Sequence, residues 1–146
     1  VSLYGQNRWF RGPFHKHTKA SEFSVDGVDK LPRVDVIYIT ADVSPDLIAA
    51  AVSNGAKGIV TAGVGNGNMT GPALEAVKAA IKDGVGVVRA SRVTSGAVGR
   101  NVEVSDDETG SVAAAELHPA RAPVLLKLAL LKTTDPAKIQ QYFYTY

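Results

Sequence analysis

The chain has 146 residues, of which 45% are hydrophobic and 21% charged, with a formal net charge of +2 and no cysteine. This composition is typical of a globular domain and excludes an intrinsically disordered chain, a disulfide framework and a thiolate metal site. The charge is too small to indicate nucleic acid or an anionic membrane as a partner, and no stretch reaches the roughly 18 apolar residues of a membrane span.

Residues 1–33 differ in character from the remainder of the chain. They start without an initiator methionine or a signal peptide, so we expect a processed chain or a fragment of a longer one. The run Arg8-Trp9-Phe10-Arg11 interleaves basic and aromatic side chains, a pattern that suits phosphate contacts and base stacking. Because the cluster is short and acidic residues follow it, we favour an irregular or hairpin segment whose aromatic side chains pack on a neighbouring domain. His15 and His17 alternate but have no third ligand nearby, so we predict no metal site.

Four short apolar runs predict the strands of a sheet. They cover residues 34–40, 58–62, 85–90 and, less regularly, 111–114. Start signals for helices stand between and after them, at Ser44-Pro45-Asp46, Gly71-Pro72, His118-Pro119 and Asp135-Pro136. The third of these helices is predicted over residues 120–131, with an apolar stripe of Val124, Leu125, Leu128 and Leu131. The alternation predicts an α/β fold with a small parallel sheet flanked by helices.

The most distinctive stretch follows the second predicted strand and reads Gly63-Val64-Gly65-Asn66-Gly67-Asn68. Glycines at this density predict a sharp loop at the carboxyl end of a strand, the edge at which open α/β sheets bind ligands. A dinucleotide fingerprint would need glycine where Asn68 stands, and a phosphate loop would need Gly-Lys-Ser/Thr, so no cofactor is predicted. From the residues alone, Asn66 and Asn68 are more often loop-shaping than ligand-binding.

A long polar connection, residues 91–107, interrupts the strand–helix rhythm. Connections of this length are usually functional or mobile. Its mixed charges, together with Arg89, favour a solvated loop with weak local ion pairs. Asp106-Asp107 could in principle form a carboxylate pair, but nothing in the sequence sets their separation or burial. We find no complete catalytic constellation in the chain.

Two of these stretches closely resemble bacterial type II L-asparaginases and glutaminase-asparaginases. They are the run from Lys57 to Asn68 that contains the glycine loop, and Val88-Arg89-Ala90-Ser91-Arg92-Val93-Thr94-Ser95-Gly96. The end of the chain, from Pro123 to Leu130 and on through Asp135-Pro136, is similar to that family too. The resemblance covers essentially all 146 residues and corresponds to the carboxyl-terminal half of the family.

The resemblance implies a domain organisation. Residues 1–18 would be the tail of an amino-terminal domain, 19–33 an interdomain linker and 34–146 a small carboxyl-terminal α/β domain. The family's nucleophilic threonine, its tyrosine partner and its Thr-Asp-Lys group would lie in the missing amino-terminal domain, so this chain alone should be inactive. The resemblance further implies a periplasmic homotetramer whose sites are shared between subunits, with L-glutamine or L-asparagine as substrate and no nucleic acid or membrane as partner.

The resemblance also assigns roles to two residues. Asn68 would bind the α-amino end of the substrate with its carboxamide, and Glu103 would do so with its carboxylate across a subunit interface. Asn66 would be structural and, with Gly63, Gly65 and Gly67, would shape the loop. The alternative function is a non-catalytic amino-acid- or nucleic-acid-binding module that uses the basic aromatic start of the chain.

Overall fold

A computed structural model describes residues 14–146 and, as backbone, two short strands before them. These strands, β1 (Ser2–Leu3) and β2 (Gln6–Asn7), pair antiparallel. The basic aromatic run Arg8-Trp9-Phe10-Arg11 lies outside the described residues. Among the residues described, no helix is long and apolar enough to cross a membrane.

The central element is a four-stranded parallel sheet, as the apolar runs predicted. Its strands are β3 (Val34–Tyr38), β4 (Gly58–Gly63), β5 (Gly86–Ser91) and β6 (Val112–Ala113), and they lie side by side in that order. Every residue of β4 is buried, because this strand is central and covered on both faces. Because the four strands are parallel, their carboxyl ends all lie at one edge of the sheet. The glycine-rich loop and the polar connection leave the sheet at this edge.

Five α-helices complete the described part of the chain. They are α1 (Asp46–Ser53), α2 (Gly71–Lys82), the short α3 (Asp106–Thr109), α4 (Ala122–Leu130) and α5 (Pro136–Thr145). The predicted start signals Gly71-Pro72 and Asp135-Pro136 lie at the starts of α2 and α5, where Thr70 accepts a hydrogen bond from Ala73 N and Asp135 accepts one from Ala137 N. The short helix α3 was not predicted from the sequence.

The helices form two apolar layers on the sheet. Residues of α1 and α2 pack on one face around Ile59 and Val87, and residues of α4 and α5 pack on the other around Val60 and Val88. Successive residues of β4 and β5 thus point to opposite layers, as strand geometry requires. This three-layer packing holds the carboxyl ends of the strands in fixed register.

The apolar stripe predicted for α4 was wrong in part. Val124 is 62% exposed and Leu131 is 37% exposed. The buried stripe is instead Ala122, Leu125, Leu126 and Ala129. Because nearly all residues of this helix are apolar, its sequence pattern does not reveal which face meets the sheet.

The segment before the sheet contacts the end of the chain. The ring of Phe23 packs against Tyr142 and Tyr146, with centroids 4.8 and 5.0 Å away. The backbone N–H of Glu22 donates to the Tyr146 hydroxyl at 2.9 Å, and the Tyr142 hydroxyl donates to the Glu22 carboxylate. This part of the predicted linker therefore lies against α5.

Candidate functional site

The glycine-rich loop folds back on itself at the carboxyl edge of the sheet. Val64 and Asn68 form an isolated antiparallel bridge, in which each backbone N–H donates to the other residue's carbonyl, at 3.2 and 2.8 Å. A Cβ atom added to Gly63 would lie 2.4 Å from the carbonyl oxygen of Asn68 and 2.6 Å from the carbonyl carbon of Gly67. The bridge is therefore compatible only with glycine at position 63.

Two further glycines supply backbone conformations that other residues rarely adopt. Gly65 has φ +50° and Gly67 has φ +76°. Around Gly65 there is open space, whereas a Cβ on Gly67 would crowd Val98, Ala90 and Arg89. Gly65 thus serves the turn itself, and Gly67 also allows the loop to lie close to its neighbours.

Asn66 joins the loop to the polar connection after β5. Its carboxamide oxygen accepts a hydrogen bond from Gly99 N at 2.7 Å, and its amide nitrogen donates to Gly99 O at 3.4 Å. Both ends of this side chain are therefore used within the protein. These contacts are those that a loop-shaping residue makes.

Asn68 is placed differently from Asn66. Its side chain is half-buried and makes no hydrogen bond with any residue that the structure describes. It lines a cavity of about 290 Å³ at the carboxyl edge of the sheet, beside Thr40, Thr70 and Arg92. The carboxamide is thus free to donate to and accept from a ligand.

Arg92 lies in the same cavity and is held in place by two contacts. Its guanidinium donates to the carbonyl of Ile39 and stacks over the ring of Tyr38 at 4.8 Å. Larger cavities lie between α1 and α2 (about 320 Å³), beside the start of β5 (about 420 Å³) and against β3 and α1 (about 370 Å³). None of these three is lined by a residue of the glycine-rich loop.

Glu103 does not line the cavity that contains Asn68. It is exposed, in the turn that precedes α3, and makes no ion pair with the described residues. The structure thus brings Asn66 and Asn68 to the sheet edge and leaves Glu103 on a neighbouring loop. Whether either Asn68 or Glu103 binds a substrate stays a prediction.

A buried ion pair beneath these loops was missed from the sequence. Arg89, on β5, and Asp106, at the start of α3, both have fully buried side chains and are joined by hydrogen bonds of 2.7 and 2.6 Å. The expectation of weak, solvated pairs was therefore wrong here. The available signal was an arginine inside an otherwise apolar strand, because a buried cation requires a partner.

The two adjacent carboxylates do not form a catalytic pair. Burial alone would raise the pKa of Asp106, but hydrogen bonds from Arg89, Ser111 and the Asn101 backbone, with the Arg89 charge, hold it below its usual value. Asp107 points to solvent, where hydrogen bonds from Arg100 and Asn101 lower the pKa of its carboxyl. Both groups are ionised at neutral pH, so neither can act there as a general acid.

The described residues thus bring polar side chains to one edge of the sheet and hold no complete catalytic constellation. No group of three or more His, Cys, Asp or Glu among them could hold a metal ion. His15, one of the two alternating histidines, hydrogen-bonds to Glu116 through Nε2 at 2.6 Å. The arrangement can recognise a small polar molecule but supplies no activated nucleophile.

Comparisons with known proteins identify the family to which the chain is similar. Residues 33–143 match the family model described as Glutaminase/Asparaginase C-terminal domain. The chain is 46% identical over 133 residues to a probable periplasmic L-asparaginase of Haemophilus influenzae, which covers 91% of the chain and 38% of that protein. It is 43% identical over 142 residues to L-asparaginase 2 of Escherichia coli, covering 97% of the chain and 41% of the relative.

Glutaminase-asparaginases are also similar to the chain. The one from Acinetobacter glutaminasificans is 41% identical over 145 residues, which cover 97% of the chain and 44% of the relative. The chain therefore spans about two fifths of the length of the curated relatives that it matches.

Proposed function

This chain belongs to the glutaminase/asparaginase C-terminal domain family, and we propose that it supplies the substrate-binding wall of an amidohydrolase. The enzyme would hydrolyse the side-chain amide of L-asparagine, L-glutamine or both, giving the acid and ammonia. The observation that carries the proposal is Asn68, whose carboxamide has no partner among the described residues and lines a cavity at the carboxyl edge of the sheet. Relatives named as asparaginases and glutaminase-asparaginases supply the reaction class.

In this proposal, substrate binding and amide hydrolysis depend on two different surfaces, of which this domain supplies the first. Asn68 would accept a hydrogen bond from the substrate's α-ammonium group, and the Glu103 carboxylate would balance its charge. The nucleophile would be a threonine outside residues 1–146, which would form an acyl-enzyme that water then hydrolyses. Preorganised donors on that same surface would stabilise the developing oxyanion.

This division requires a second surface over the sheet edge. We propose that residues 1–18 end a preceding domain, residues 19–33 link it to this one, and residues 34–146 form the small domain. Glu103 is exposed, and Asn68 makes no side-chain hydrogen bond within the part of the chain that the structure describes, which supports access by another domain or subunit. A periplasmic homotetramer with shared sites would supply that surface, and the name of one relative includes the word periplasmic.

The test uses the complete polypeptide that carries this domain. We expect Asn68→Ala and Glu103→Gln each to lower kcat/KM for L-asparagine and L-glutamine by at least about tenfold, which is about 1.4 kcal/mol of transition-state stabilisation. Glu75→Gln is the matched control, because Glu75 is also exposed but lies on α2 and pairs only with Lys78. Changes below about threefold for Asn68→Ala and Glu103→Gln would refute the proposed roles.

A further inference from the structure

The Arg89–Asp106 pair lies beneath both loops that carry the candidate substrate-binding residues. We propose that it is a positioning device, which holds Asn68 and Glu103 in the relative placement needed for an α-ammonium group. The inference rests on the proposed function and adds to it two residues that touch no substrate. Arg89 and Asp106 would act only through the backbone of the loops.

Arg89 reaches both loops from its place in β5. Its Nε and Nη2 atoms bind Asp106. In addition, Nη1 donates to the carbonyl of Asn66 at 2.9 Å and Nη2 donates to the carbonyl of Gly99 at 3.2 Å. Asn66 lies two residues before Asn68 along the loop, and Gly99 lies in the connection that leads to Glu103. One planar guanidinium thus ties two separate segments to the sheet.

Asp106 fixes the second loop from its other side. Its Oδ2 accepts a hydrogen bond from the backbone N–H of Asn101 at 2.9 Å, two residues before Glu103. Its Oδ1 accepts a hydrogen bond from the hydroxyl of Ser111, the residue immediately before β6. The turn that contains Glu103 is therefore bounded by Asn101 and Asp106 themselves, which are hydrogen-bonded to each other.

The Asn66 side chain connects the loops to each other. It binds both the N–H and the carbonyl of Gly99, the residue whose carbonyl Arg89 also contacts. Asn66 therefore couples the two loops to each other, and Arg89 ties the coupled loops to β5. Displacement of the guanidinium would remove its hydrogen bonds to both loops, while those from Arg100 to Ser111 and Gln140 would remain.

The pair is better explained by geometry than by stability. A buried ion pair must repay the loss of hydration of both charges, so apolar residues of similar volume often stabilise a protein as well or better. Apolar side chains could fill the space between β5 and α3 but could not bind the backbone of Asn66, Gly99 and Asn101. The distinctive property of this pair is thus the hydrogen bonds that it makes to the loops.

The test compares a substrate with its analogue that lacks the α-amino group. We expect Arg89→Lys, in the complete polypeptide, to lower kcat/KM for L-asparagine at least about tenfold more than for succinamate. Lysine keeps the positive charge but has no planar fork and cannot bind all four oxygen atoms that Arg89 contacts on Asp106, Asn66 and Gly99. A merely structural role would lower both values by the same factor, within about threefold, and that result would overturn the inference.

Arg33→Lys is the matched control. Arg33 also binds an aspartate through Nε and Nη2, and its Nη1 donates to the carbonyl of Asn54 at 2.9 Å. It lies before β3, at the opposite edge of the sheet from the two loops. We expect its kinetics on both compounds to match those of the unmodified enzyme.

Two additions keep the inference separate from the proposed function. The double variant Arg89→Gln/Asp106→Asn removes both charges together, so it tests the pair if Arg89→Lys fails to fold. Glu103→Gln measured on the same two compounds tests the substrate role directly. If Glu103→Gln lowers kcat/KM for L-asparagine and for succinamate by the same factor, the proposed role of Glu103 fails. Hydrogen exchange then decides whether the Arg89–Asp106 pair holds the loops.

Hydrogen exchange reports on the loops without any substrate. We expect amide exchange in residues 64–70 and 98–105 to be faster in the double variant and in Arg89→Lys, with β4 and the Arg33→Lys control unchanged. Unchanged exchange in both loops in a folded variant would overturn the inference, whatever the kinetics show.

Discussion

Gly63→Ala tests whether the glycine-rich loop must close on itself for the site to work. Gly63 is the last residue of β4, and its missing side chain leaves room for the Val64–Asn68 bridge. The added methyl carbon would lie 2.4 Å from Asn68 O. Since all three atoms in conflict with the methyl group, Asn68 O, Gly67 C and Gly67 O, belong to backbone, no flexible side chain can turn aside to accommodate it.

The expected magnitude follows from that contact. Relief requires the backbone of residues 67–68 to retreat by roughly half an ångström or more, at a cost of about 1–3 kcal/mol for overpacking. The same movement lengthens the two bridge hydrogen bonds and displaces the Asn68 side chain. Because a displacement of about 1 Å in a positioned group can cost about a hundredfold in rate, we expect kcat/KM to fall at least about tenfold.

The assay pairs urea unfolding with kinetics, in the complete polypeptide. Gly71→Ala is the control, because no atom lies within 4 Å of the added Cβ and the residue opens α2, where alanine is the better helix former. Gly65→Ala separates strain from contact, since its surroundings are open but its φ is +50°. If Gly63→Ala matched Gly71→Ala in both the urea midpoint and kcat/KM, the closed loop would not matter.

Two further predictions concern the buried carboxylate and the predicted linker. The lowered pKa of Asp106 contributes stability that is present above about pH 4 and is lost as the pH falls through the lowered value. Below about pH 4, the free energy of unfolding of Asp106→Asn should therefore change less steeply with pH than that of the unmodified protein. Equal slopes for the two proteins in an acid titration would contradict this. Phe23→Ala should speed proteolysis of residues 19–33, because it removes the ring that packs on Tyr142 and Tyr146. Phe14→Ala, which removes a 93% exposed ring, should leave this cleavage unchanged. Equal cleavage rates for the two variants would refute the packing of residues 19–33 on α5.

Much of the fold could be predicted because its signals are local. Strands β3, β4 and β5 each coincide, within a residue or two, with an apolar run next to a turn or cap. The loop of residues 63–68 at the carboxyl end of β4 was predictable because it depends on residue type alone. Glycine is the residue that adopts positive φ at positions 65 and 67 and leaves room for the closure at Gly63. The different placements of Asn66 and Asn68 are less local, since they depend on where Gly99 lies.

The Arg89–Asp106 pair could not be predicted in the same way. Its partners are 17 residues apart, and the acidic residue that pairs with Arg89 stands beside another that faces solvent. Sequence alone does not choose between Asp106 and Asp107, because the choice depends on how α3 sits against β5. The one sequence signal, a cation within a buried strand, indicates that a partner exists without saying which residue it is.

The two candidate substrate-binding residues differ in how well this domain orients them. Asn68 lies in a loop closed by its own backbone bridge and joined through Asn66 to Gly99. Glu103 lies on an exposed turn whose ends are fixed through Asn101 and Asp106, while its own side chain has no described partner to hold one rotamer. The backbone position of Glu103 is therefore set within this domain, whereas under the proposed function its side-chain rotamer would be set by the second surface. We expect loss of that surface to weaken the substrate contact of Glu103 more than that of Asn68.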